Sequence, residues 1–197
     1  MPGRCDAGAP RAGPRISDFA RHSLLHQSQS PARHTLAVER RRPVDEGALA
    51  FLAIADIDFF KRVNDRYGHP YGDEILMLVA RLMTRTLRES DKLFRFGGEE
   101  FVILLAASSE DRATAALERL RASVEACDFS KVGRITISLG FTATRHSDTG
   151  AEAYGRADQA LYVAKQTGRN QVRCYETLAA AGAISACETA EQDVELF

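Results

Sequence analysis

The sequence predicts a mixed α/β or α+β domain, a central sheet that carries a β-hairpin and has helices packed on it. Three observations predict it. Residues 48–55 form a short uninterrupted apolar run that stops at Asp56-Ile57-Asp58, the pattern of a buried strand delivering carboxylates at its C-terminal end. Arg95-Phe96-Gly97-Gly98-Glu99-Glu100-Phe101 places two glycines and two carboxylates between strand-like runs at 93–96 and 101–105, as in a hairpin closed by a Gly97-Gly98 turn. Three further stretches repeat apolar residues at helical spacing.

In chain order, residues 1–45 are rich in Arg, Pro, Ser and His with little periodicity and read as a tail or linker, the Arg40-Arg41-Arg42 run being a solvated face. The folded domain is expected over 46–176. After the first strand, 59–67 reads as a short helix, and Gly68-His69-Pro70-Tyr71-Gly72 as a break. A long helix restarts at Asp73 and runs to about 88, with Ile75, Val79, Leu82 and Thr86 on one stripe. Beyond the hairpin, 111–126 repeats that pattern through Ala113, Ala116, Leu117, Leu120 and Val124. Ile135, Ile137 and Leu139 alternate with Thr136 and Ser138, the period of a strand buried on one face, and 140–150 reads as turn or loop. A last helix over 151–166 closes at Gly168 and leads to a short strand at 171–175. The remainder, 177–197, carries only acidic charge and is expected to be loosely ordered. No internal repeat is visible.

Composition narrows the function classes. The chain of 197 residues is 45% hydrophobic and 27% charged with a formal net charge of -1, so no global positive field argues for nucleic acid and any anion site must be built locally. The longest apolar run is far short of the roughly 20 residues that span a bilayer. The first residues hold Arg4, Arg11 and Arg15 but no apolar signal core, which points to the cytoplasm. Cys5, Cys127, Cys174 and Cys187 are scattered, unlike the close pairs of zinc or redox motifs.

Asp56 and Glu99 become neighbours if the first strand pairs with the hairpin. Two carboxylates and a backbone carbonyl suit Mg²⁺, which takes oxygen ligands and fills its remaining positions with water and phosphate. Lys61, Lys165 and Arg169 could then meet phosphate charge, the last two lying four apart on one helical face. Singly, each reads as a surface charge, and only their combination points to phosphate. Asn64 and Asp73 together can read the edge of guanine, but on the residues alone Asn64 also suits a helix end and Asp73 reads rather as a cap at the positive start of the next helix.

These residues fall in a known order. Asp56-Ile57-Asp58-Phe59-Phe60-Lys61, Asn64, Tyr67-Gly68-His69, Gly72-Asp73 and Gly97-Gly98-Glu99-Glu100-Phe101, followed by 135–140, Ala160-Leu161-Tyr162, Lys165 and Gly168-Arg169-Asn170, resemble the diguanylate cyclase (GGDEF) domain family in its GGEEF form. The resemblance covers roughly 49–175 and implies a palm-like nucleotidyl-cyclase fold with a mainly antiparallel sheet. It implies condensation of two GTP into cyclic di-GMP and pyrophosphate by a homodimer. Carried over by position, Asp56, the Ile57 carbonyl and Glu99 would hold Mg²⁺ or Mn²⁺. Glu99 would accept the proton, Glu100 support the tip, and Gly97 and Gly98 admit the triphosphate. Lys61, Lys165 and Arg169 would contact phosphates; Asn64 and Asp73 would read guanine, with His69 and Phe60 lining the pocket. Arg88-Glu89-Ser90-Asp91 matches the family's RxxD inhibitory site, implying product inhibition through Arg88 and Asp91. The family's usual Asp-x-Leu-Thr-Gly-Leu-x-Asn-Arg lead-in has no counterpart in 16–36 beyond a leucine near Leu24. The alternative is a catalytically weak receptor for GTP or cyclic di-GMP that acts through protein partners.

Overall fold

The computed structural model describes residues 49–145 and 147–184. The expected N-terminal tail, the lead-in region and most of the acidic tail lie outside them. Strand β1 (Leu49–Ile57) is followed by helices α1 (Phe60–Tyr67) and α2 (His69–Thr86), then by the hairpin strands β2 (Lys92–Gly97) and β3 (Glu100–Ala107). Helix α3 (Glu110–Glu125), the two-residue strands β4 (Asp128–Phe129) and β5 (Gly133–Arg134), and strand β6 (Ile137–Ala143) come next. Helix α4 (Gly150–Gln166), strand β7 (Val172–Cys174) and helix α5 (Tyr175–Ala180) complete the order.

The main sheet runs β2-β3-β1-β6-β7, antiparallel at every junction except the parallel β6–β7 pair. The mainly antiparallel, helix-flanked sheet is therefore the observed architecture. Strand β1 sits at its centre, which explains why its sequence does not alternate. Phe51, Ala53, Ala55 and Ile57 enter a core shared with α2 and α3, including Ile75, Val79, Met83, Leu117 and Leu120. Leu52 and Ile54 enter a second cluster with Val102, Ala153, Ala157 and Leu161, beneath α4. A strand covered on both faces needs apolar residues at both parities.

Four expectations need correction. The break between the first two helices is Gly68 alone (φ 83°); His69 and Pro70 already belong to α2, because proline is tolerated in a first turn whose N–H groups have no helical partner. The hairpin turn falls on Gly98-Glu99, since Gly97 pairs with Glu100, and the register shifts between Arg95 and Gly97. Gly98 supplies the positive φ of 45°. Strand β6 is buried on both faces, with Ser138 and Thr142 both fully enclosed. It also continues through Gly140 to Ala143 where a loop was expected. A Cβ at Gly140 would lie 2.0 Å from Leu161 N and 2.3 Å from Ala157 O, so this glycine lets α4 lie directly on the sheet.

The β4–β5 pair and α5 carry too few residues for periodicity to reveal, and α5 places the start of the expected tail in a helix. Cys127 and Cys174 are free and buried. No helix among the described residues is long and apolar enough to cross a membrane.

Candidate functional site

The site forms where β1 ends beside the hairpin tip. Pairing of β1 with β3 sets Asp56 directly opposite Glu100, so Glu99 in the turn lies one residue beyond. Ala50 O accepts from Thr144 N at 2.8 Å and Asp58 N donates to Thr136 O at 2.9 Å, so these even-numbered residues hydrogen-bond toward β6. By the alternation of a strand, Ile57 presents its carbonyl to the β3 side, just past the last β1–β3 pair.

Asp56 is buried, and its carboxylate meets Lys165 Nζ at 2.9 Å. Burial pushes its pKa from the ordinary 3.8 up to about 6, the Lys165 ammonium opposing the shift and Glu99 and Glu100 adding to it. Asp56 meets the one ammonium directly while Glu99 and Glu100 add their negative charge from the tip, leaving an excess of negative charge and oxygen donors, the chemistry that a hard divalent cation fits. Among the described residues, no three His, Cys, Asp or Glu side chains converge as a ready cluster. Side chains of Asp56 and Glu99 with the Ile57 carbonyl are thus a set that water and a phosphate ligand would have to complete.

The hairpin tip is open. A Cβ on Gly97 or Gly98 would meet nothing within 4 Å. Backbone conformation accounts for Gly98, whereas neither a positive φ nor a close contact within the chain accounts for Gly97. Arg95 fastens the turn, its Nε and Nη2 donating to Gly98 O at 3.1 and 2.9 Å.

At the α1–α2 junction, a Cβ on Gly72 would lie 1.9 Å from Asn64 Oδ1 and 3.2 Å from the Phe60 ring. Only glycine permits this approach of α2 to Asn64; Asp73, the next residue of α2, is exposed. Asn64 Oδ1 is buried with no hydrogen-bond donor, an acceptor left for something the chain does not supply. Phe60 belongs to the core rather than to an open wall, reaching the junction only with its ring edge. His69 and Lys61 are exposed at the start of α2 and on α1.

Arg88 and Asp91 lie apart from this site. Asp91 Oδ2 accepts from Arg88 N at 2.9 Å and Oδ1 from Ala106 N at 3.4 Å, so the carboxylate holds the turn into β2. Thr84, Leu87, Arg88, Asp91 and Phe94 line a groove of about 350 Å³ here.

Asp58, Phe59 and Arg95 stand in the motif stretches but received no individual site role from the sequence. Asp58 is buried and accepts from Thr136 Oγ1 at 2.6 Å, Ser138 Oγ at 2.7 Å and Asn170 N at 3.0 Å, tying the end of β1 to β6 and to the loop after α4. Its position two residues after Asp56 was the available signal.

A mainly antiparallel sheet flanked by helices, with an open Gly-Gly-Glu-Glu tip beside a carboxylate-bearing strand end, defines the class of protein. The chain belongs to the family described as diguanylate cyclase, GGDEF domain, whose model matches residues 29–171, beginning ahead of the expected boundary at 46. It is 47% identical over 135 residues to the diguanylate cyclase DgcP of Pseudomonas aeruginosa, covering 67% of this chain and 20% of DgcP. Against the diguanylate cyclase DgcM of Escherichia coli it is 42% identical over 172 residues, covering 80% of this chain and 42% of DgcM. The chain thus spans less than half of either relative. Among solved structures, the GGDEF domain of DgcB from Caulobacter crescentus in complex with c-di-GMP is 34% identical, with a TM-score of 0.63 over 66% of this chain and 80% of that one. The active GGEEF domain of a diguanylate cyclase from Vibrio cholerae is 36% identical, with a TM-score of 0.60 over 66% of this chain and 84% of that one.

Proposed function

We propose that this domain condenses two GTP molecules into cyclic di-GMP, as its family membership and its relatives suggest. The register of Asp56 against Glu100 carries the reading, because it gathers a buried carboxylate, an acidic tip and a lysine at one strand end. Asp56, Glu99 and the Ile57 carbonyl would hold a divalent cation, magnesium or manganese, which supplies neutralisation of phosphate charge when bound. Asn64, with its unsatisfied acceptor, and Asp73 bind the guanine N–H groups, with His69 beside them. The open face over Gly97 and Gly98 admits the triphosphate, and Lys61, Lys165 and Arg169 balance its charge.

Glu99 accepts the proton of a 3′-hydroxyl, and Glu100 supports the tip. The freed oxygen bonds to the α-phosphorus of the facing GTP while the bond to the β-phosphate breaks and pyrophosphate leaves. Two such transfers close the ring. Each domain holds one nucleotide, so two copies must face one another.

Purified protein incubated with GTP and Mg²⁺ should yield cyclic di-GMP by chromatography, and chelation with EDTA should abolish it. Glu99→Gln should lower the rate by about 10² or more, the usual contribution of a positioned base. Tight GTP binding without product at high protein concentration would overturn the cyclase reading in favour of a receptor. The groove beside Arg88 and Asp91 is proposed to bind the product and inhibit; Arg88→Ala should then abolish inhibition by added cyclic di-GMP, and an unchanged inhibition curve would exclude it.

A further inference from the structure

We propose that Phe59 is a positioning residue, an aromatic platform that aims the Arg169 guanidinium at the phosphates of the bound nucleoside triphosphate. The inference rests on the reading above, in which Arg169 meets phosphate. Its starting point is that Phe59 is neither buried nor relaxed. The residue is 48% exposed, while the adjacent Phe60 takes the core position at 4%. Phe59 is held at φ 58°, ψ 25°, a left-handed conformation that a bulky side chain rarely adopts, and it caps α1 without any side-chain hydrogen bond. Strain of this kind persists only where the surroundings impose it, and it gathers at functional sites.

The imposition is visible on both sides. Asp58, immediately before Phe59, is fastened by Thr136, Ser138 and the Asn170 backbone. Arg169, immediately before Asn170, is also left-handed at φ 62°, between Gly168 at 122° and Asn170 at 47°. The Asn170 side chain accepts from Arg121 Nη1 at 2.8 Å and donates to Glu125 Oε1 at 3.0 Å. The Asp58–Asn170 hydrogen bond therefore sits directly beside the two strained residues Phe59 and Arg169, whose side chains meet: Arg169 Cζ lies 4.5 Å from the centroid of the Phe59 ring. Arg62, one turn into α1, places its Cζ 4.4 Å from the same centroid.

An aromatic face attracts a guanidinium without neutralising it. Among the described residues Arg169 has no carboxylate at salt-bridge distance, so its charge stays available to an anion while the ring restricts its direction. A carboxylate partner would have orientated the arginine equally well and cancelled the charge needed for phosphate.

The test is calorimetric titration with the α,β-methylene analogue of GTP, which cannot release pyrophosphate, in the wild type, Phe59→Leu, Phe59→Tyr, Arg169→Ala and the Phe59→Leu/Arg169→Ala double variant. Phe59→Leu should weaken binding about three- to tenfold, the range of an exposed to partly desolvated cation–π contact. Phe59→Tyr should restore it, and Phe59→Leu should have no further effect once Arg169 is alanine. Unchanged affinity in Phe59→Leu, or a full additional loss in the double variant, would overturn the proposal. A wild type that binds the analogue but forms no cyclic di-GMP from GTP would sink the cyclase reading alone, and one that binds no analogue would sink both.

Discussion

Asp56 shows how one side chain can be placed against its own preference. Its pKa of about 6 lies above the ordinary 3.8, so the native state holds this proton more tightly than the unfolded chain does. Below about pH 4 both states are protonated and no penalty exists; stability is lost as pH rises through the interval up to about 6. Above it, the ionised carboxylate costs the fold about 3 kcal/mol. Asp56→Asn should therefore stabilise the protein at pH 7.5 by roughly 1–2 kcal/mol in urea denaturation, because the Lys165 left behind is partly exposed and readily hydrated. That gain should shrink as pH falls below about 6, and a gain independent of pH would contradict the burial argument. The same group would have to be ionised to hold a metal, so protons and metal would compete for it in this range.

At the scale of elements, the glycines sort by what they approach. Gly140 lies on β6 beneath the backbone of α4, and backbone cannot move aside. Gly140→Ala should cost about 3 kcal/mol or more and lower the melting temperature sharply. Gly97→Ala meets open space and should leave the melting temperature nearly unchanged, while weakening GTP binding if the triphosphate passes over it. Calorimetric melting and GTP titration of the two variants distinguish a glycine kept for packing from one kept for a ligand. Neither role could be told from the letter alone: the string 135–140 suggested a strand ending in a turn, whereas the covering helix makes Gly140 an interior residue. In the same way Phe59 and Phe60 are identical neighbours in sequence. Burial of one and exposure of the other follow from the left-handed turn between β1 and α1.

At the scale of the molecule, a single chain presents only one tip and one Asp56. If two copies must face one another, product formed per mole of protein should rise with protein concentration and level off once dimers predominate. Rates measured over a hundredfold dilution series test this, and a specific rate independent of concentration down to the lowest point would argue for a pre-formed dimer or against the two-copy requirement. The longer strands and helices and their order were legible because they rest on local physics, in which apolar periodicity selects helix or strand and glycine or proline ends them. The motif residues were legible because several stand at fixed spacing in one order. What sequence alone determined is the family and the chemical types present: carboxylates, glycines and cations. The tertiary structure decided which of them meet, through the register that sets Asp56 against Glu100, the helix that brings Lys165 to 2.9 Å, and the clamp that turns Phe59 toward Arg169. Those pairings span 40 to 110 positions of chain or thereabouts, and contacts so distant depend on packing and strand register, which no local propensity encodes.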